Sequence, residues 1–220
     1  MRQTYRSRRP PPRPSHHRRA ASRRSARHRT GTHASVPNAR VGQVSGTVAE
    51  QRLTIRPAEP DDVEVLHQFI VELTKAEDFP GEVTSRPADL IPALFGSPPA
   101  AEAVVASVDQ EPIGFALYYS TYSTVAGRPG IHLEDLYVRP EHRGNGVGRE
   151  LLAHLARLAV RRGCARLEWW VLRTNDPALR FYQRLHARTL DEIDVLRLDG
   201  EHLHALAAES PDLFNLRQTV

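Results

Sequence analysis

Between an apolar run, Ile131 to Val138, and an amphipathic stretch that opens at Val147, the chain reads Arg143-Gly144-Asn145-Gly146-Val147-Gly148. The run is rich in β-formers, and Pro140 forbids its continuation as a central strand. Three glycines in six residues leave backbone N–H groups unscreened by side chains, and a helix that starts here adds four N–H groups without intrahelical partners. It also presents the positive end of its macrodipole. A strand, a glycine turn and a helix N-terminus in this order form a socket for a pyrophosphate.

The spacing excludes other glycine loops. No Gly-Lys-Ser/Thr follows, so this is not a P-loop, and Gly144, Gly146 and Gly148 alternate where a dinucleotide fingerprint needs Gly-x-Gly-x-x-Gly.

Charge is distributed unevenly along the 220 residues. Residues 1–50 hold 12 of the 30 basic residues and one of the 26 acids, with Pro, Ser and His between them and hardly any large apolar side chain. Such a segment buries too little to offset its ordering entropy, so a disordered basic tail is expected there, and a domain over 51–220. The remainder carries 18 basic and 25 acidic residues, a formal −7 against +4 for the whole chain. A negative body favours a cationic small molecule. The tail could touch nucleic acid or acidic lipid weakly and non-specifically, and it has three readings: a dispensable or mis-assigned start, with Val36, Val41, Val44 or Val48 as alternatives to Met1; a solubilising or weakly anchoring appendage; or a specific nucleic-acid-binding segment. No run of 18 apolar residues occurs, so no membrane span is expected. The lone cysteine, Cys164, suits a reducing, cytoplasmic setting.

From residue 53 strand and helix signals alternate. Strands are expected at Leu53–Arg56, Ala103–Val108, Ile113–Tyr122, Ile131–Val138, Arg166–Leu172 and Ile193–Leu198. Helices are expected from Pro60 (with Val63, Leu66, Ile70 and Leu73 on one face), over Ala88–Phe95, over Val147–Arg162 up to the stop at Gly163, from Asp176-Pro177, and around Glu201–Ala207.

Within this frame, Arg-x-x-Gly-x-Gly before an Ala/Leu-rich helix resembles the pyrophosphate loop of the GCN5-related N-acetyltransferases, the GNAT superfamily. Asn175-Asp176-Pro177-Ala178-x-x-Phe181-Tyr182 resembles that family's Asn-x-x-Ala-x-x-Phe-Tyr stretch. Four further stretches are similar to diamine acetyltransferases, which act on spermidine, spermine or thialysine-like amines: Leu73 to Glu77, Gly114 to Tyr119, Leu133 to Val138, and Arg143 to Gly148. The resemblance implies a mixed, mostly antiparallel α/β sheet flanked by helices and splayed between strands 4 and 5. Acetyl-coenzyme A enters the gap as cosubstrate, and no metal is needed.

By the same resemblance Leu136, Tyr137 and Val138 bind pantetheine through the backbone, and Asn175 holds its arm. Arg143, Gly144, Asn145, Gly146, Val147, Gly148 and Arg149 take the pyrophosphate. Tyr182 protonates the leaving sulfur, Glu134 is a base or water-ordering carboxylate, and Glu77 and Asp135 join Glu134 at the amine. Related enzymes commonly dimerise, so a homodimer is expected.

Adjacent strand residues point to opposite faces, so one of Glu134 and Asp135 should face the gap and the other elsewhere. Trp169 and Trp170 read as packing residues. Where family members often have Asp-Trp-Asn, the chain has Arg173-Thr174-Asn175, and Ser123 to Ala126 lacks an aromatic that diamine acetyltransferases tend to have. His186 takes the place of a glycine after the tyrosine helix. A small cationic amine is therefore the expected substrate; a protein N-terminus or lysine, or acyl-coenzyme A sensing without catalysis, are the alternatives.

Overall fold

The computed structural model describes residues 52–78 and 81–209. The tail of residues 1–50, with the arginines expected to touch nucleic acid, lies outside them. Five strands form one sheet in sequence order: β1 (Leu53–Pro57), β2 (Glu102–Val108), β3 (Glu111–Ser123), β4 (Arg128–Val138) and β5 (Leu167–Trp169). The first four pair antiparallel, and β5 lies parallel to β4. The β2–β3 hairpin turns on Asp109 and Gln110, both with positive φ, as a two-residue turn matched to strand twist demands.

Helices cover both faces. On one, α3 (Val147–Arg161) buries Val147, Leu151, Leu152, Leu155 and Ala159 against Val104, Ala106, Ala116, Ile131 and Leu133. On the other, Leu66 and Phe69 of α1 (Val63–Ala76) and Leu94 of α2 (Pro87–Phe95) meet Val105, Phe115, Leu117 and Tyr137. Each such fully buried Leu or Phe stabilises the fold by roughly 1.5–3 kcal/mol. Gly163, with φ of 67°, ends α3, and His186, with φ of 61°, takes the left-handed position after α4 (Asp176–Arg184). No helix among the described residues is long and apolar enough to cross a membrane.

Two departures from the sequence expectation shape the site. The fifth strand is three residues long, pairing Ile131, His132 and Leu133 with Leu167, Glu168 and Trp169. Beyond Leu133 the two strands part, which is the expected splay. The expected strand at Ile193–Leu198 does not form; that segment runs without regular structure to α5 (Gly200–Ala208). Its apolar side chains find no sheet edge within the chain, and Ile193, Val195 and Leu196 are exposed. Alternation supplies a face, whereas a strand also needs a neighbour.

Candidate active site

Strand β4 carries a β-bulge where the chemistry is expected. Tyr118 of β3 stands opposite Leu133 and Leu117 opposite Asp135, so Glu134 is the extra residue without a partner. A bulge reverses the alternation of the strand that carries it. Before it, Ile131 and Leu133 point to α3; after it, Tyr137 points to α1 and Val138 to α3. The expectation that Glu134 and Asp135 face apart is therefore corrected. Both line one small chamber of about 50 Å³, together with Leu73, Glu77, Leu136, Trp169, Trp170 and Tyr182.

Three carboxylates thus meet at the end of α1 and the middle of β4. Burial pushes Asp135 up to about 7, and the negative charges of Glu134 and Glu77 add to the rise. Glu77 is raised as well, by burial, with a hydrogen bond from Asn175 and the charge of Arg143 acting the other way. A site that concentrates negative charge where water is scarce gains most by admitting a cation.

Asn175 makes that arrangement. Its Oδ1 accepts from Ala178 N at 3.1 Å and caps α4, while its Nδ2 donates to Glu77 Oε1 at 3.0 Å. The side chain thereby ties the start of α4 to the end of α1, a link of 98 residues in sequence. Through that bond it positions Glu77.

Tyr182 lies between rings, 4.9 Å from Trp169 and 5.2 Å from Phe181, centroid to centroid. Burial and then the Glu77 charge raise its phenol to about 12, so the group holds its proton at neutral pH and is available there as an acid rather than as a base.

At the other end of the splay, the glycine loop has the geometry expected of a phosphate socket. Gly144 and Gly146 have φ of 82° and 86°, and a Cβ at either would meet nothing within 4 Å, so both face open space. Gly146 caps α3 in the left-handed conformation, and none of the N–H groups of Gly144, Asn145, Gly146, Val147, Gly148 or Arg149 donates to a backbone carbonyl among the described residues. The first that does is Glu150 N, on Gly146 O at 3.0 Å. Arg143 folds back instead: its Nε donates to Val138 O at 2.7 Å and its guanidinium lies 5.5 Å from the Tyr137 ring. It braces the loop against β4. Leu136 and Tyr137 lie on the stretch of β4 that β5 has left, where the strand edge is free to pair with a ligand.

Residues 68–187 match the family model described as Acetyltransferase (GNAT) family. The chain belongs to that family. It is an N-acetyltransferase, and the family's acetyl donor is acetyl-coenzyme A. It is 34% identical over 166 residues to the thialysine N-epsilon-acetyltransferase of Bos taurus, covering 70% of this chain and 97% of that protein. It is likewise 34% identical over 153 residues to that of Caenorhabditis elegans, covering 68% and 94%. Among solved structures, an integron cassette protein from the mobile metagenome of V. cholerae superposes with a TM-score of 0.60 at 26% identity, covering 70% and 97%.

Sequence reasoning missed the Asn175–Glu77 link, because no local pattern marks a contact so distant. It also read Trp170 as packing, whereas the side chain is 59% exposed at the rim of the chamber.

Proposed function

We propose that this acetyltransferase, through a domain of residues 51–220, acetylates a primary amine of a small cation of the diamine or lysine-like class, by direct transfer. The observation that carries this reading is the convergence of Glu77, Glu134 and Asp135 with Tyr182 on one chamber. The names of the relatives, thialysine N-epsilon-acetyltransferase above all, support it.

Acetyl-coenzyme A, held at the Gly144–Arg149 loop and along Leu136, Tyr137 and Val138, supplies a thioester whose C–S bond breaks as the C–N bond forms. The residues of the chain manage the protons. An alkyl ammonium of pKa ~10.4 is neutral about once in 2,500 at pH 7, a penalty of ~4.6 kcal/mol. Asp135, raised to about 7, accepts that proton far more readily than an ordinary carboxylate, as a base poised near the working pH should. Glu134 orders the amine or a water beside it, and Glu77, fixed by Asn175, completes the cation site. Tyr182 donates its phenolic proton to the departing sulfur.

Cys164 as the sole thiol supports a reducing, cytoplasmic setting, and the family resemblance supports a homodimer. Calorimetry with acetyl-coenzyme A, followed by thiol release on a panel of amines, tests the function. We expect binding and turnover on small diamines or lysine-like amines; binding without turnover on any amine would instead favour acyl-coenzyme A sensing, and acetylation found only on proteins would overturn the small-amine reading.

A further inference from the structure

The face of the sheet beside the chamber carries a row of rings that the chemistry above does not use. His132 of β4 stands opposite Tyr119 of β3 and Glu168 of β5, and Trp170, two residues beyond Glu168, shares its face. The Tyr119 ring stacks on His132 at 5.0 Å with planes 23° apart, and His132 meets Trp170 edge-on at 4.9 Å. A continuous ladder of three rings runs across three strands and ends on the exposed Trp170. Trp170 and Glu134 also line the chamber, so the ladder begins where the amine site ends.

A packing role does not explain this arrangement. Trp170 covers no core residue of either buried cluster. The His132 side chain is 6% exposed and makes no hydrogen bond among the described residues; its nearest carboxylate is Glu134, with Nε2 to Oε2 at 3.9 Å. The imidazole thus sits at the junction of chamber and ladder and holds Trp170 edge-on. Glu134 and Glu168 also both act on the Tyr119 phenol, which burial has already raised, so two carboxylates stand close to the ladder. Glu168 lies beside Arg166, Nε to Oε1 at 2.9 Å, a charge contact without hydrogen-bond geometry.

We propose that this ladder is a second-cation subsite: while one amine reacts in the chamber, a second ammonium of the same substrate rests against the Trp170 face, flanked by Glu134 and Glu168. The inference rests on the small-amine reading above and adds that Trp170 is the residue that selects for the second charge. A ring face attracts an ammonium through its quadrupole, most strongly for Trp, and carboxylates beside it add charge. The chain lacks an aromatic in the Ser123–Ala126 loop; the ladder supplies one from Trp170, just past the end of β5. Single substitutions should change affinity about three- to thirtyfold, the range of such contacts when part-exposed to desolvated.

The test compares straight-chain diamines, 1,3-diaminopropane to 1,6-diaminohexane, with n-alkylamines of equal length, at saturating acetyl-coenzyme A. We expect the wild-type protein to favour at least one diamine tenfold or more in kcat/KM. Trp170→Ala should cut that ratio about fivefold or more, chiefly through the KM of the diamine. Trp170→Phe, which keeps a ring face and guards against a folding defect, should retain most of the ratio, and Glu168→Gln should lower it less than Trp170→Ala. Turnover with the same ratio in the wild type and in Trp170→Ala overturns the subsite while leaving the small-amine reading intact. No turnover on any amine, with acetyl-coenzyme A still bound, overturns that reading and the subsite together.

Discussion

Upstream of Glu134, β4 is paired with β3 on one edge and β5 on the other; downstream it keeps β3 alone, and its second edge opens toward the glycine loop. The loop beyond the open end offers backbone N–H groups and almost no side-chain chemistry, whereas the bulge region offers side chains: three carboxylates, a phenol and a row of rings. A loop that binds through its backbone must be built from residues that expose it, so its signature is written locally as Gly144 and Gly146. A site that binds through side chains is assembled from α1, β4, β5 and α4. The bulge joins the two by turning Asp135 into the chamber without interrupting the strand's path to the loop.

The largest effect expected from breaking the side-chain end is that of Tyr182→Phe. Loss of the proton donor should reduce kcat by ~10²–10⁴ with little change in acetyl-coenzyme A affinity, since the hydroxyl acts in the transition state. Stopped-flow or steady-state thiol release beside calorimetry would measure both; near-normal turnover would remove Tyr182 from the chemistry.

The loop end should respond in the opposite sense. Gly146→Val places a β-branched residue at a φ of 86°, where it is strained, and sets a side chain in the path of the pyrophosphate. Acetyl-coenzyme A affinity should fall tenfold or more, with kcat at saturation less affected. Unchanged affinity would mean that the phosphate groups bind elsewhere.

Most of the fold and the conformation of the glycine loop were legible in the sequence. Four of the five strands and the helices fall close to where alternation and helical spacing put them, and positive φ at Gly144, Gly146, Gly163 and His186 occurs where glycine-like positions were expected. What escaped has one physical cause. The bulge at Glu134, the shortness of β5, the failure of Ile193–Leu198 to pair and the Asn175–Glu77 bond all depend on partners distant in sequence. Alternation gives a residue's face only while the register holds, and at Glu134 it does not.

A smaller effect links the two halves. Asn175→Ala removes the cap of α4 and releases Glu77, so stability should fall by ~1 kcal/mol, measured by denaturant melts. KM for the amine should rise several-fold, because Glu77 loses its fixed position. A drop in stability with amine KM unchanged would confine Asn175 to capping.

The same carboxylate should also leave a mark on stability. Asp135 is harder to ionise in the folded protein, at about 7, than unfolded, near 4. Its contribution is therefore most favourable below the unfolded value and is lost as pH rises through about 7. Asp135→Asn should raise the melting temperature relative to the wild type at pH 8, and the gain should shrink toward pH 5. A gain that did not depend on pH would argue against a neutral Asp135 in the free enzyme.

The pH dependence of kcat/KM on a small diamine, wild type against Asp135→Asn, tests most directly whether the bulge delivers the base. Over pH 5.5–8.5 the amine remains charged, so a limb near 7 reports the enzyme's own groups, titrating as a coupled set. We expect wild-type kcat/KM to rise with pH through an apparent pKa of about 7, and Asp135→Asn to lose that limb together with ~10²-fold of its rate. An Asp135→Asn variant that keeps the limb and stays within threefold of the wild type would contradict the assignment of the proton to Asp135.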